Sequence, residues 1–170
     1  LLWSGAAESY VSLRPSGAVN ADVRAIWNGQ QVGEAYDPSK GNTHAMLWSG
    51  TAASGTDLNP SGFYLTRGYG LWGNQQVGAG VGSATNYDVH ALLWTGTAAS
   101  VVDLHPSGFK GSWGLGIWGN QQVGYAYMGP YVNDESHAML WSGSAESAVD
   151  LTPPGFEETV AEGVFNGSQI

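Results

Sequence analysis

The 170-residue chain has no cysteine, and its five lysines and arginines stand against fourteen aspartates and glutamates. The absence of cysteine excludes a disulfide framework, thiol chemistry and cysteine-ligated zinc. A formal net charge of −9 leaves no basic stripe to neutralise phosphates, so neither nucleic acid nor an anionic membrane surface is expected as a partner. The chain also lacks an apolar run of the about 18 residues that a membrane span needs, so membrane insertion is not expected.

Charged residues are scarce, and glycine and aromatic residues are abundant. Charged residues make up 11% of the chain, against roughly 25% in ordinary soluble domains, while glycine contributes 26 residues. Eight Trp, eight Tyr and a 42% hydrophobic content provide enough apolar surface for a folded core. This composition predicts one domain over residues 1–170 with many tight turns and no long helix.

An internal repeat organises the whole chain. Trp3, Trp48, Trp94 and Trp141 each end a Leu-Trp pair and are separated by 45, 46 and 47 residues. Two further markers recur in step with this pair, a Trp-Gly-Asn-Gln-Gln-Val type segment and a Leu-x-Pro-Ser-Gly type segment. Self-similarity at such a period indicates a repeat architecture.

Each repeat contains the signals of four short strands, which we call a to d in chain order. Strand a ends at the aromatic residue before an Asn-Gly or Gly-Asn turn, and strand b is of the Gln-Gln-Val-Gly type. Strand c is His-Ala-Met-Leu-Trp or a close variant, and strand d ends at Asp-Leu before the proline and glycine stop. Four strands per repeat is typical of a β-propeller blade.

We therefore predict an all-β, four-bladed propeller. Its full blades are expected at residues 22–60, 68–106 and 113–153, and a composite blade at residues 156–170 together with 1–17. Closure with strands from both termini would remove exposed sheet edges. The alternatives are a fragment of a longer repeat array and a ring completed by oligomerisation.

The pattern resembles a known type of repeat. The glycine-rich strand pair followed by His-Ala-x-Leu-Trp and Asp-Leu-x-Pro-x-Gly looks like the HAF-type extracellular repeats of bacterial proteins, and its strand order is similar to that of WD40 repeats. The resemblance covers the whole chain and implies an extracellular or cell-surface location. It implies little about function, because such repeats are mostly of unknown role and fold does not determine function.

The aromatic residues that end strand a are the first candidate ligand-binding set. These residues are Trp27, Trp72, Trp118 and Phe165. A ring of such side chains would suit sugar stacking, because an apolar ring plane lies beside polar groups. Packing in the gaps between blades is the alternative role.

The loops between strands b and c differ most among repeats and form the second candidate set. Its members are Tyr87, Asp88, Tyr131, Asn133 and Asp134. Such residues suit a glycan or, as a weaker expectation, a Ca²⁺ ion, and they are equally typical of solvated loops. We predict no other cofactor and no metal site of histidine ligands.

The repeated histidines and glutamines are expected to be structural. His44, His90 and His137 each lie thirteen residues before an aspartate of strand d, and we predict a hydrogen bond within each blade. The Gln pairs are expected to satisfy turn backbone, with ligand reading as the alternative. Strand a offers only Arg24 and Glu162 as charged candidates for catalysis, so no catalytic residue is assigned.

The expected function is a non-enzymatic binding module that recognises carbohydrate or another surface macromolecule through repeated sites. The first alternative is a structural or protein-interaction scaffold without a small-molecule site. The second is a hydrolase acting at the acidic loop face, which would need two converging carboxylates.

Overall fold

A computed structural model describes residues 1–129 and 135–170 and contains three antiparallel sheets of four strands and one two-stranded hairpin. The first sheet comprises β1 (Asn20–Trp27), β2 (Gln30–Asp37), β3 (Asn42–Trp48) and β4 (Thr56–Asp57). The second comprises β5 (Phe63–Trp72), β6 (Gln75–Gly82), β7 (His90–Trp94) and β8 (Val102–Asp103). The third comprises β9 (Gly111–Trp118), β10 (Gln121–Tyr127), β11 (Ser136–Trp141) and β12 (Val149–Asp150), and the hairpin comprises β13 (Val164–Phe165) and β14 (Ser168–Gln169). The all-β class is confirmed.

Helical structure in the described residues is limited to five single 3-10 turns. They are Ala7–Ser9, Ala52–Ser54, Ser83–Thr85, Ala98–Ser100 and Ala145–Ser147. No helix within residues 1–129 and 135–170 is long and apolar enough to cross a membrane.

The turn between the first two strands of each sheet has the predicted form. Asn28 and Gly29 have φ values of 45° and 78°, and Asn166 and Gly167 have φ values of 49° and 81°. In the second and third sheets only the glycine of the turn, Gly73 or Gly119, has a positive φ, of 59°. Both patterns match the twist of a two-residue hairpin, and asparagine and glycine adopt positive φ values at low cost. The hairpin prediction is therefore confirmed.

The hydrophobic cores lie between successive sheets. Strand β5 packs against the first sheet through β1, β2 and β3, and β9 packs against the second sheet through β5, β6 and β7. One core accordingly joins Val32, Leu47 and Leu58 of the first repeat to Leu71 and Trp94 of the second. Each sheet is covered on both faces where it has two neighbours, which explains the unbroken apolar character of strand c.

The series of sheets is open at its ends in the described part of the chain. Ile26 on β1 is 60% exposed, whereas its counterparts Leu71 and Ile117 on the next two first strands are 6% and 8% exposed. Leu71 and Ile117 are covered by the preceding sheet, and Ile26 has no such cover. No closed ring is therefore seen among the described residues.

The first strand of the second repeat is longer than predicted. Strand β5 begins at Phe63, five residues before the expected blade boundary at residue 68. This extension brings Arg67 into the strand, and Asp22 also lies within β1. The prediction that strand a offers only Arg24 and Glu162 as charged residues was therefore wrong, and Glu162 itself precedes β13.

Candidate functional site

A β-bulge interrupts the first strand of each four-stranded sheet at the same place. In the first sheet, Val23 pairs with Gly33 and Ala25 pairs with Val32, so Arg24 has no partner across the ladder. The registers of the next two sheets leave Tyr69 and Leu115 unpaired in the same way. Each of these residues stands three positions before the aromatic residue that ends the strand. Bulges of this kind redirect one side chain and often lie beside functional sites.

A glycine on the second strand makes each bulge sterically feasible. Gly33, Gly78 and Gly124 lie where a Cβ atom would fall far inside contact distance of a carbonyl oxygen on the bulged strand. The obstructing atom is backbone in all three sheets, so a rotamer change could not relieve the clash. The glycine of the Gln-Gln-Val-Gly segment therefore permits the same backbone bulge in all three sheets, while the residue at the bulge differs from sheet to sheet.

The first two bulges bring together two arginines and a buried glutamate. The Arg24 Nη2 atom lies 2.8 Å from Glu34 Oε1, and Arg67 Nε lies 3.9 Å from the same oxygen. The Glu34 side chain is only 8% exposed, and its Oε2 atom has no hydrogen-bond partner in the described structure. The hydrogen bond from Arg24 to Glu34 raises the pKa of Arg24 despite partial burial, with a smaller contribution from Asp22.

An aromatic group continues from these charges onto the next two sheets. The Arg24 guanidinium carbon lies 5.9 Å from the Tyr69 ring centroid, within the range of a cation–π contact. The Tyr69 and Trp113 rings are 5.9 Å apart, and Trp113 lies parallel to Tyr125 at 6.3 Å and 7°. Burial raises the pKa of Tyr125 to about 12, with smaller contributions from Tyr69, Tyr127 and Glu162. Burial also raises the pKa of Tyr69, so Tyr69 and Tyr125 are both neutral at ordinary pH.

These residues form the bulge-face cluster, which we define as Arg24, Glu34, Arg67, Tyr69, Trp113 and Tyr125. Only Glu34 is fully buried; the others are half-buried or exposed. Guanidinium groups provide charged donors in a fixed fork, and tyrosine and tryptophan provide ring planes with a polar edge. The arrangement suits a ligand that combines a polar or anionic group with a flat apolar face.

The predicted aromatic set at the ends of strand a forms a continuous column. Ring centroids are 5.0 Å apart for Trp27 and Trp72, 3.6 Å for Trp72 and Trp118, and 4.3 Å for Trp118 and Phe165. Trp27 and Trp72 also pack against the cores between sheets. The three tryptophans are half-buried, and the contact between Trp72 and Trp118 occupies part of the surface of both rings. Phe165 is 64% exposed.

The predicted loop residues lie apart from these contacts. Tyr87 is exposed, has a positive φ of 65° and lies 6.3 Å from the Tyr64 ring. Asp88 accepts a 2.7 Å hydrogen bond from Lys110. Tyr64 and Lys110, the contact partners of Tyr87 and Asp88, are thus outside the bulge-face cluster. Tyr131, Asn133 and Asp134 lie outside the described residues.

The predicted histidine–aspartate pairs are confirmed. His44, His90 and His137 bond through Nδ1 to aspartates of strand d at 2.8, 2.7 and 2.6 Å. Burial alone would raise the pKa of Asp57, but hydrogen bonds from His44, Lys40 and the Asn59 amide lower it overall. No group of three or more acidic or histidine side chains in the described residues is placed to hold a metal ion.

The second glutamine of each pair has the predicted structural role. Gln31 Nε2 donates to the Gly29 carbonyl at 2.8 Å, and Gln31 Oε1 accepts from the Gly50 amide at 2.8 Å. Gln76 and Gln122 make equivalent bonds in the next two sheets. All three side chains are buried, so they bridge the turns of their own sheet and present nothing to solvent.

A serine and a histidine meet between the second and third sheets, but their bonds are used in packing. His105 Nδ1 lies 2.9 Å from Ser112 Oγ, which also accepts the Ala91 amide hydrogen bond at 2.9 Å. Ser112 is fully buried. Thr66 with Asn59 occupies the same place between the first two sheets, so this contact is a repeated bridge between sheets.

All six members of the bulge-face cluster were absent from the sequence-predicted sites, although Arg24 was noted as a charged residue of strand a. Their signal lies in a comparison of repeats position by position. The residue three places before the strand-end aromatic is Arg24, Tyr69, Leu115 and Glu162 in turn, although the surrounding segments are nearly identical. Comparisons with protein-family profiles, with curated proteins and with solved structures find no match to this chain.

Proposed function

We propose that the protein is a non-enzymatic binding module that recognises carbohydrate at the bulge-face cluster. The observation that carries the proposal is the contrast between an invariant bulge and the different side chains that it projects. A backbone feature repeated three times with a changing side chain is typical of a scaffold that supports a binding surface. The charged and aromatic members of that surface match the chemistry of sugar recognition.

We further propose that the sheets are the blades of a four-bladed propeller of the HAF type. The packing of each first strand against the preceding sheet supports this assignment. Covering the exposed face of Ile26 would need either the C-terminal hairpin or another sheet. An extracellular or cell-surface location follows from the same resemblance and is part of the proposal.

A protein-interaction scaffold is the second candidate, and the aromatic column favours it. Trp72 and Trp118 use their ring faces on each other at 3.6 Å, as expected of side chains whose role is to hold sheets together. In that case the bulge-face cluster would have no small-molecule ligand. The serine–histidine contact does not support a hydrolase, because Ser112 is buried between sheets.

A glycan array probed with the full chain tests the proposal. We expect binding that free sugar competes away, and chelation of calcium should leave it unchanged if the bulge-face cluster is the site. Loss on chelation would instead indicate an ion in the loops. A blank array would contradict carbohydrate binding and favour the scaffold.

Two alanine variants on one strand locate the site. Tyr69→Ala removes the central ring of the bulge-face cluster, and Tyr64→Ala removes an exposed ring that contacts Tyr87 of the loop. We expect Tyr69→Ala to weaken binding by about tenfold, consistent with about 1–1.5 kcal/mol for a ring contact, and Tyr64→Ala to have no effect. The reverse result would assign binding to the loop.

A further inference from the structure

The bulge-face cluster carries an excess of positive charge in an otherwise acidic protein. Lys40 and Lys110 pair with different aspartates, since Lys40 donates to Asp57 and Lys110 donates to Asp88, each at 2.7 Å. Arg24 and Arg67 instead share the single carboxylate of Glu34. The charge of Asp22 also raises the pKa of Arg24, but Asp22 forms no ion pair with either arginine in the described residues. The ion pairs at this place therefore set two guanidiniums against one carboxylate, although the whole chain has a net charge of −9.

The hydrogen-bonding capacity of the cluster is only partly used. Arg67 Nε is buried without a hydrogen-bond partner in the described structure, and its 3.9 Å approach to Glu34 is too long for a hydrogen bond. Glu34 Oε2 is likewise unpartnered, in a side chain that is more than nine-tenths buried. Unpaired polar atoms at buried positions cost free energy. An anionic ligand provides acceptors only, so it can satisfy guanidinium donors but not Glu34 Oε2.

Both guanidiniums remain accessible from outside. The Arg24 side chain is 46% exposed and the Arg67 side chain is 38% exposed, while Glu34 lies beneath them. A planar guanidinium binds a carboxylate or a sulfate through two parallel hydrogen bonds. The exposed edges of Arg24 and Arg67 therefore suit one anionic group, and a polyanion such as nucleic acid would meet the surrounding negative charge.

The aromatic rings beside the arginines define the rest of the ligand. The Tyr69 ring lies 5.9 Å from the Arg24 guanidinium carbon and 5.9 Å from the Trp113 ring. A molecule bound at the guanidiniums would therefore have a ring plane next to its anionic group. Sugars that carry a carboxylate or a sulfate have this combination of a flat apolar face and one charged substituent.

We propose that the bulge-face cluster selects acidic sugars, with Arg24 and Arg67 binding the anionic substituent and Tyr69 and Trp113 contacting the sugar ring. This inference rests on the proposed carbohydrate-binding function and specifies its ligand class. Glu34 is a positioning residue, since it holds the Arg24 guanidinium from below at 2.8 Å.

Matched glycans on one array test the charge requirement. Each uronic-acid or sialic-acid oligosaccharide is printed beside its methyl ester, and each sulfated oligosaccharide beside its desulfated form. We expect the full chain to bind acidic members and to lose binding when the charge is removed. The two pairs distinguish a carboxylate from a sulfate as the group recognised. Equal binding of charged and neutral partners would overturn the inference while leaving carbohydrate binding intact.

Arginine variants test the residues on the glycan that binds best. Arg24→Gln and Arg67→Gln should each raise its Kd at least about tenfold, because each removes a charged hydrogen-bond donor to the anionic group. Arg14→Gln is the matched control, since it makes the same charge change at an exposed arginine that donates to the Val19 carbonyl. Circular dichroism and thermal melting establish whether each variant is folded. If Arg67→Gln does not fold, Arg24→Gln alone carries the test, because the Arg24 side chain is the more exposed of the two.

The possible outcomes separate the two proposals. Weakening in both cluster variants with an unchanged Arg14→Gln supports the inference. Equal weakening in all three would indicate only a general effect of net charge and would overturn it. A blank array would contradict carbohydrate binding and the acidic-sugar preference together.

Discussion

Strand c of each four-stranded sheet and the bulged first strand differ in how much their side chains vary between repeats. Strand c presents a fully buried tryptophan, at Trp48, Trp94 and Trp141, and a histidine bonded to aspartate in all three four-stranded sheets. The bulge keeps its backbone but projects arginine, tyrosine or leucine. The first region therefore maintains the fold, and the second is free to carry chemistry, because its side chains are not needed to fill a core.

The largest effect is expected where the two regions meet, at the glycine opposite the bulge. Gly124→Ala would drive a Cβ atom into the carbonyl oxygen of Trp113, and neither backbone can withdraw without breaking the sheet. We expect a loss of about 3 kcal/mol or more in the free energy of unfolding, measured by urea denaturation.

Gly163→Ala is the control for this substitution. An added Cβ there would meet only Ile170, at an ordinary contact distance of 3.6 Å, and Gly163 does not have a positive φ. It should change stability by less than about 0.5 kcal/mol. Similar unfolding curves for the two variants would contradict the requirement for glycine at the bulge.

A smaller, pH-dependent effect is expected at the bridge between the second and third sheets. Burial, together with the neighbouring His90, lowers the pKa of His105 although Asp103 and Asp88 act in the opposite direction. The unfolded chain takes up a proton near the ordinary pKa of about 6.5, and the folded chain resists it. Stability should therefore decrease as pH falls from about 6.5 through the lower pKa of the folded state.

His105→Asn should remove that decrease while preserving the bridge. Asn59 already occupies the equivalent place, where Nδ2 donates to the Phe63 carbonyl at 2.9 Å and Oδ1 accepts from Thr66 at 2.8 Å. Urea denaturation at a series of pH values checks the prediction by the difference between variant and parent. An unchanged pH dependence would mean that the protonation of His105 does not cause the decrease.

The smallest effect is expected at the third bulge. Leu115→Arg places an arginine where the first repeat already has one, on a half-exposed position, and should alter the free energy of unfolding by less than about 0.5 kcal/mol. Ile117→Arg, two residues further on the same strand, is the comparison because Ile117 is buried between sheets. It should be strongly destabilising, by several kcal/mol, since it buries an unpaired charge (about 3 kcal/mol or more). Equal thermal stability of the two variants would contradict the difference between the half-exposed bulge position and the buried position beside it.

The sequence predicted the elements whose signals are local. Asn28 and Gly29 indicated a two-residue turn, and the fixed spacing of His90 and Asp103 indicated their bond. Each of these contacts forms within one repeat, so its residues are close in sequence or in register. The strand order within each sheet follows from the same short connections.

The bulge-face cluster could not be predicted in this way. A bulge shifts the alternation of side chains by one residue, so the face on which Tyr69 lies cannot be derived from a period of two. Contacts such as Arg67 with Glu34 also cross from one sheet to the next, and their distance depends on how the sheets pack. The extension of β5 to Phe63 was hidden for a related reason, since a second bulge lies between Phe63 and Leu65.

The column formed by Trp27, Trp72, Trp118 and Phe165 makes the spacing of the sheets accessible to optical spectroscopy. Indole rings as close as 3.6 Å with a 37° tilt, as in Trp72 and Trp118, couple their electronic transitions. Because each ring belongs to a different sheet, the resulting exciton signal reports on the distance between sheets rather than on strand content. The tryptophans are thus an intrinsic spectroscopic probe of the packing between sheets.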